Sequence, residues 1–173
     1  LNDIDRIVVR TAGDKTIATL QRGKEGWTVT ERNGYAADVG KIRKNLIALA
    51  EATILEEKTS NPDLYSRLKV DDIEKASAGG VRLDVGAGDK AATSVIIGST
   101  GVGGGDRAYV RRAGEPKSWL VSGAFETPRE ASEWLDKALT NVAAKRVQAV
   151  TITHPDGTAL RVSKASPDAP DFT

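Results

Sequence analysis

The sequence predicts an α+β fold in which antiparallel sheets are each covered by a helix. Runs of strand-like segments lie between single helix-like segments, without the regular strand–helix alternation of a parallel sheet. A strand–turn–strand pattern near the beginning of the chain recurs near its end, and four strand-like segments joined by glycine-rich turns occupy the centre. We therefore expect an N-terminal three-stranded unit, a central four-stranded meander and a second, partial copy of the N-terminal hairpin at the C-terminus.

The N-terminal unit begins with a hairpin. Isoleucine or valine occupies positions 4, 7, 8 and 9, so that 7 and 9 share one face of a strand, and apolar residues alternate over 18–20 after a turn at 12–14. A two-residue period is typical of a half-buried strand. A third short strand is predicted at 26–29, and Asn33-Gly34 marks the turn that follows it.

A helix is predicted after this turn, because apolar residues recur at steps of three and four. Asp38 precedes the stripe and can act as its N-cap. The apolar positions are Val39, Ile42, Leu46, Leu49, Ala50 and Ile54. Asn61-Pro62 then predicts the cap and first turn of a short helix that holds Leu64, Tyr65 and Leu68.

The central segment is predicted to be an antiparallel meander with strands at 81–85, 94–97, 107–111 and 118–121. Thr127-Pro128-Arg129-Glu130 follows it and combines a capping box with a proline at the first helical position. We expect a second helix there. Its apolar stripe would be Ala131, Trp134, Leu135, Ala138, Leu139 and Val142.

The strongest feature of the chain is the repeated hairpin. Residues 4–10 and 16–22 correspond to 147–153 and 158–164, with one residue lost at the turn. The second turn is His154-Pro155-Asp156-Gly157, which has turn-forming residues at suitable positions.

The first copy continues into a third strand, whereas the second stops soon after its hairpin. We therefore expect the chain to be a piece of a longer protein. The predicted organisation is a first hairpin, strand and helix over 1–58, a linker, meander and capped helix over 59–143, and a truncated repeat over 144–173.

Composition limits the classes of partner and chemistry. The 25 basic and 24 acidic residues leave a net charge of +1, which disfavours a nucleic-acid or anionic-membrane partner. The chain has no cysteine, so disulfides and thiolate sites are excluded, while cytosol and periplasm both stay open. No apolar run approaches the roughly 20 residues that span a bilayer. A membrane anchor would therefore lie outside this chain.

Several motifs that suggest chemistry have simpler explanations. The glycine-rich segment 98–106 leads into a strand and has no following lysine, so a hairpin connection is predicted instead of a phosphate or calcium loop. His154, the single histidine, is expected in a solvated turn. The acidic pairs Glu56-Glu57 and Asp71-Asp72 are expected to face water, since neighbouring side chains point in different directions. We predict no catalytic residue, cofactor or metal.

One strand carries a candidate contact site. Arg107, Tyr109 and Arg111 alternate along it and share one sheet face, where they would form a cationic strip around an aromatic ring. Such a strip could contact an acidic glycan, a peptide or a protein partner. A solvated open face is the alternative interpretation. The tryptophans Trp27, Trp119 and Trp134 lie on apolar stripes and are expected to pack in the core.

These elements, in this order, resemble the bacterial domain-of-unknown-function 4340 family. The resemblance lies in the hairpin followed by Gly26-Trp27-Thr28-Val29, the Ala37-Asp38 lead into a helix, Ile96-Ile97-Gly98, Tyr109-Val110-Arg111, and 134–139. It implies an envelope protein held by an N-terminal membrane segment, with its globular part outside the cytoplasm. It also implies an association with auxiliary components of gliding-motility-type ABC transporters, and no established enzyme activity.

Three functions follow from the sequence. The favoured hypothesis is a non-enzymatic accessory or interaction module of a membrane-anchored envelope protein. It would be periplasmic or otherwise extracytoplasmic and would contact other envelope or transporter proteins. The alternative is a binding domain for an acidic glycan or peptide at Arg107, Tyr109 and Arg111. A hydrolase is the weakest hypothesis, because no nucleophile elbow accompanies His154.

Overall fold

The computed structural model describes residues 3–88, 90–138, 142–166, 169 and 171–172. The chain divides into two compact units, Leu1–Asp136 and Lys137–Thr173. The described residues form mostly antiparallel sheet with two short α-helices, in agreement with the predicted α+β class.

The first unit contains most of the elements. Its strands are β1 (Arg6–Thr11), β2 (Lys15–Gly23), β3 (Gly26–Val29), β4 (Tyr35–Ala36), β5 (Ile54–Thr59), β6 (Val81–Ala87), β7 (Lys90–Thr100), β8 (Arg107–Arg112) and β9 (Ser118–Ser122). Its helices are α1 (Val39–Glu51) and α2 (Tyr65–Leu68). The second unit contains β10 (Ala149–Thr153) and β11 (Ala159–Ser163).

The strands of the first unit form one nine-stranded sheet in the order β4-β3-β2-β1-β6-β7-β8-β9-β5. Antiparallel pairing of β1 with β6, from Arg6 opposite Gly86 to Arg10 opposite Arg82, joins the predicted N-terminal unit to the central meander. The expectation of two separate sheets is therefore wrong. The expected boundary between segments 1–58 and 59–143 falls inside β5, which pairs with β9.

The main core lies between the sheet and α1. Alternation along the strands sends one set of apolar side chains to this face, including Ile7, Val9, Leu20, Leu83, Ile97 and Val121. The helix contributes Ile42, Asn45 and Ala48 as its buried residues. Asn45 is tolerated there because its amide donates to the carbonyls of Lys41 and Glu126 at 3.2 and 3.0 Å and accepts from the Glu126 amide at 3.1 Å.

Helix α1 begins as predicted and ends earlier. The Asp38 carboxylate accepts a hydrogen bond from the Lys41 amide at 2.9 Å, which confirms the predicted N-cap. The helix stops at Glu51, and Ile54 opens β5 instead of continuing the helical stripe. The apolar spacing misplaced Ile54 because a strand that starts soon after a helix can extend its three- and four-residue pattern by chance.

The predicted second helix is wrong. Where the structure describes the predicted helix, the chain makes a 3₁₀ turn, Ala131–Trp134, and Leu135 is extended. Leu135 pairs with Ala37: the Asp38 amide donates to the Trp134 carbonyl at 2.8 Å, and the Asp136 amide donates to the Ala36 carbonyl at 2.9 Å. This pairing takes the backbone groups that a helix would need, so tertiary contacts override the capping signal. Leu139, part of the predicted stripe, lies outside the described residues.

A short segment crosses the opposite face of the sheet. Tyr65, Val70 and Ile96 form a small buried cluster where α2 and the following residues pack on β7. The backbone approaches so closely that a Cβ on Gly98 would collide with the Leu68 carbonyl oxygen. Gly98 is therefore required by contact between two backbones.

The same face carries a charged network at the β1–β6 junction. Arg10 and Arg82 lie directly opposite each other, an arrangement that like charges disfavour. Asp84 lies between them, with carboxylate oxygens 3.1 Å from Arg10 Nε and 2.9 Å from Arg82 Nε. Arg82 also pairs with Glu74 at 3.0 Å. The carboxylates thus neutralise the repulsion at the joint between the two halves of the sheet.

The C-terminal unit is a hairpin, as predicted. In the alignment predicted from the sequence, its pair Val150–Val162 stands opposite Ile7–Leu20 of the N-terminal hairpin, and Ile152–Leu160 stands opposite Val9–Ala18. A bulge between Val9 and Arg10 distinguishes the first hairpin. At the second turn, the Thr158 hydroxyl and amide donate to the Asp156 carboxylate at 2.7 and 2.9 Å and hold the pKa of Asp156 below its ordinary value.

We predict that Gly98→Ala destabilises the protein by at least about 2 kcal/mol, because the new methyl group forces two backbone segments apart. Gly105→Ala is the matched control, since Gly105 has a negative φ and no atom lies within 4 Å of its ideal Cβ position. Its stability should change by less than about 1 kcal/mol. Urea unfolding of both variants measures this difference, and equal midpoints would contradict the close approach.

Candidate functional site

The predicted strip of Arg107, Tyr109 and Arg111 lies on β8, with the three side chains on the sheet face opposite α1. Their environments differ strongly. Arg107 is exposed and Tyr109 is half-buried, whereas Arg111 is only 2% exposed. The structure therefore brings the three residues onto one face without making them one open surface.

The Arg111 guanidinium contacts groups within the chain. Its Nε donates to the Val70 carbonyl at 2.8 Å, one Nη donates to the Glu115 carbonyl at 2.9 Å, and the other contacts the Asp72 carboxylate. The guanidinium also lies 4.5 Å from the centre of the Tyr65 ring, in cation–π geometry. Arg111 thus fastens the segment after α2 to the sheet and has no face open to a ligand.

The acidic pairs differ in the same way. Glu56 and Glu57 are exposed, as predicted, and pair with Lys58 and Lys117. Asp71, by contrast, is 7% exposed, and Asp72 is the carboxylate that meets Arg111. The expectation that Asp71-Asp72 is fully solvated is wrong, because the segment folds back onto the sheet.

Near the predicted strip, solvent can reach a smaller group of side chains, which are Lys58, Arg107 and Tyr109. Lys58 Nζ lies 5.9 Å from the centre of the Tyr109 ring and 2.6 Å from Glu56. Arg107 lies at the exposed beginning of β8. Contact of an acidic ligand with Arg107 and Tyr109 stays a prediction.

Two further predictions concern turns. The glycine-rich segment connects β7 to β8, and Gly101, Gly103 and Gly104 adopt positive φ, which confirms the hairpin connection. His154 is exposed in the C-terminal turn, also as predicted. Within the described residues, no group of three or more histidine, aspartate or glutamate side chains is arranged to hold a metal ion.

The tryptophans are not equivalent. Trp134 is buried, with 1% exposure, as predicted for a core residue. Trp27 and Trp119 are only half-buried, and each lines an open depression beside α1. Their positions show that apolar side chains on the α1 face of the sheet contact solvent.

This face is open because one helix is too small to cover it. A helix of 13 residues is about 20 Å long and 10–12 Å wide. Nine strands at a spacing of about 4.8 Å make a sheet roughly 38 Å across. Apolar side chains on both flanks of α1 therefore keep contact with solvent.

One flank is the β5 cleft, a depression of about 420 Å³ between the end of α1 and strands β5 and β7–β9. Its apolar lining includes Leu49, Ile54, Val110, Trp119, Val121 and Phe125, with Arg112 and Glu115 also among the lining residues. Ile54 is 59% exposed, and the neighbouring Leu55 is 47% exposed. The β5 cleft thus adjoins an edge strand with exposed apolar side chains.

The other flank is the α1 groove, a depression of about 340 Å³ between α1 and strands β2 and β3. Its apolar residues are Ile4, Trp27, Val39, Ile42, Leu46 and Ile47, and its charged residues are Arg22 and Arg43. Val39 is 44% exposed and Ile47 is 40% exposed.

A third depression, of about 520 Å³, lies between α1 and the loop after β9. It is lined by both signs of charge, including Arg43, Lys44, Glu51 and Asp106. The carboxylate of Glu126 accepts a hydrogen bond from Lys44 at 2.7 Å and raises the pKa of Lys44. Because the charges here are mixed, this depression favours no particular charge of ligand.

None of these three surfaces was predicted from the sequence. A signal was present in Ile47, an apolar residue off the buried stripe of a helix, and in Leu55, an apolar residue next to misplaced Ile54. Such residues indicate an exposed apolar surface only when the width of the sheet is known.

We predict that Arg111→Ala destabilises the protein by about 2–4 kcal/mol, since it leaves two carbonyls and a carboxylate without their cationic donor. Arg107→Ala, on the same strand face, should change stability by less than about 0.5 kcal/mol. Thermal unfolding of the two variants provides the comparison. A stable Arg111→Ala variant would show that the buried guanidinium does not hold the segment in place.

Comparison with known families assigns most of the chain. The model of the domain of unknown function (DUF4340) matches residues 27–171. No curated protein and no solved structure matches the chain. The match runs from β3 to the residues after β11, so it covers most of each compact unit but not β1 and β2. The chain therefore belongs to the DUF4340 family, as its sequence motifs suggested.

Proposed function

We propose that this chain is a non-enzymatic interaction module that binds another protein through the β5 cleft. The observation that carries the proposal is the apolar surface left open where α1 fails to cover the sheet. Contiguous exposed apolar surface rimmed by polar residues is characteristic of protein interaction sites. Trp119, half-buried in the cleft, has the residue type that most often anchors such interfaces.

The edge strand supports the same proposal. β5 pairs with β9 on one side, and no further strand follows it in the described sheet. Its first half, Ile54 and Leu55, is apolar and exposed, whereas its second half carries Glu56, Glu57 and Lys58. Charges on an edge strand oppose uncontrolled pairing, so the uncharged half is the part suited to a specific partner.

The compartment and the class of partner belong to the proposal as well. We place the module outside the cytoplasm, in an envelope protein anchored through a segment beyond this chain, with envelope or transporter proteins as partners. These assignments follow from the family resemblance. In the described parts of the chain, no helix is long and apolar enough to cross a membrane.

The finer architecture is also proposed here: the C-terminal hairpin is a second copy of the β1–β2 unit. The matching residue pairs support it. So does an equivalent hydrogen bond beside each hairpin, from the Arg22 amide to the Asp5 carbonyl and from the Lys164 amide to the Gln148 carbonyl, both at 2.8 Å.

The test is recovery of partners from solubilised envelope membranes, with and without crosslinking, by the tagged chain and two variants. Ile54→Asp places a charge in the β5 cleft and should abolish recovery of the envelope or transporter proteins that the unmodified chain binds. Leu64→Asp is the matched control, because Leu64 is an exposed apolar residue outside the cleft.

Leu64→Asp should recover the same proteins as the unmodified chain, and circular dichroism should show that both variants are folded. Equal recovery by Ile54→Asp would contradict binding through the cleft. Recovery of no envelope protein under crosslinking would contradict the proposed function itself.

A further inference from the structure

We propose that the α1 groove binds an acidic amphipathic helix of a partner protein. The inference rests on the proposed function in that it presupposes a protein partner, but it concerns a different surface on the other flank of α1. It assigns the chemistry of that partner, which the β5 cleft does not.

The charge of the α1 groove favours an acidic partner. Among the described residues that line the α1 groove, the charged ones are Arg22 and Arg43, and none is a carboxylate. Both arginines are exposed. Arg43 makes no ion pair with any residue that the structure describes, although the neighbouring Lys44 is paired with Glu126. Arg43 also borders the third depression, but the charged side chains that line the groove itself are cationic among the described residues. A carboxylate-bearing partner complements it.

The apolar side chains of the α1 groove, which form its apolar floor, favour a partner with an apolar face. Val39 and Ile47 project from α1 with 44% and 40% of their surface exposed, and Trp27 borders them from β3. Burial of such side chains is favourable in proportion to the apolar surface removed from water. A ligand that made only ionic contacts would leave this apolar surface exposed to water. The occupant therefore has an apolar face as well as acidic groups.

The length of the α1 groove matches two turns of a partner helix. Val39 and Ile47 are eight residues apart on one helix, a separation of about 12 Å along its axis. Two turns of a partner helix present anchors at i, i+4 and i+7 over about the same length. An amphipathic helix laid along α1 can thus place its apolar anchors over Val39, Leu46 and Ile47 while acidic side chains on its borders reach Arg22 and Arg43.

The test selects peptides on the purified full chain. The library consists of 16-residue peptides with leucine at i, i+4, i+7 and i+11 and with the other positions randomised among Glu, Lys, Gln and Ala. The unmodified chain should select glutamate-rich peptides. Affinity measured by fluorescence anisotropy should fall at least tenfold for the double variant Arg22→Glu with Arg43→Glu. Selection on that variant should reverse the preference and yield lysine-rich peptides.

The matched control reverses Arg32 and Arg67, which are exposed arginines that line neither the α1 groove nor the β5 cleft and give the same change in net charge. This control should bind the selected peptides as the unmodified chain does. Circular dichroism should show that both double variants are folded. Ile47→Asp should also weaken binding, through the apolar floor.

Several results would overturn the inference: no selected peptide, equal enrichment of glutamate and lysine, or equal loss of affinity in the control. Vesicles of phosphatidylglycerol provide the lipid comparison. Binding to vesicles that depends on Arg22 and Arg43, with no peptide selected, would replace the protein partner with a membrane surface. These outcomes are independent of the β5 cleft, so failure here leaves recovery of envelope proteins through Ile54 unaffected.

Discussion

The pairing of β1 with β6 is the constraint on which the rest of the structure depends. It joins strands that are about 75 positions apart in the chain and converts two local antiparallel ribbons into one sheet. Such a long-range pairing must offset a large loss of chain entropy. Ile7 and Val9 on β1 and Leu83 and Val85 on β6 supply buried apolar contacts on one face. On the other face, Asp84 neutralises two arginines that would otherwise repel.

The open surfaces beside α1 follow from that pairing. Two separate small sheets could each be covered by one short helix, whereas one wide sheet exceeds the reach of α1 on both flanks. The β5 cleft and the α1 groove are thus two consequences of a single geometric mismatch. They differ in chemistry: an edge strand with exposed apolar residues borders the first, and two arginines line the second. In our proposal the two flanks bind different features of the partner proteins.

Local features of the fold could be predicted from the sequence, and long-range features could not. Alternation identified the hairpin strands, Asp38 identified the start of α1, and glycines identified the connection between β7 and β8. A capping box does form between Glu130 and Glu133, but the predicted helix does not follow it, because Leu135 finds a β partner in Ala37, nearly 100 residues earlier in the chain. The face of Arg111 was predicted correctly, but its burial depends on Asp72 and Val70 folding over it. Likewise, no local sequence pattern indicates that the sheet is wider than α1 can cover. The β5 cleft and the α1 groove were therefore not predicted.

The most direct test of this account is the measurement of backbone nuclear Overhauser effects between residues 6–10 and 82–86 in the isotope-labelled chain. Our account predicts cross-strand contacts in antiparallel register, with Ile7 opposite Val85 and Val9 opposite Leu83. It also predicts that amide protons at this junction exchange as slowly as those of the other central strands. Contacts within β1–β2 and within β6–β7 but none between β1 and β6 would show two separate sheets, and would remove the physical basis for the open surfaces beside α1.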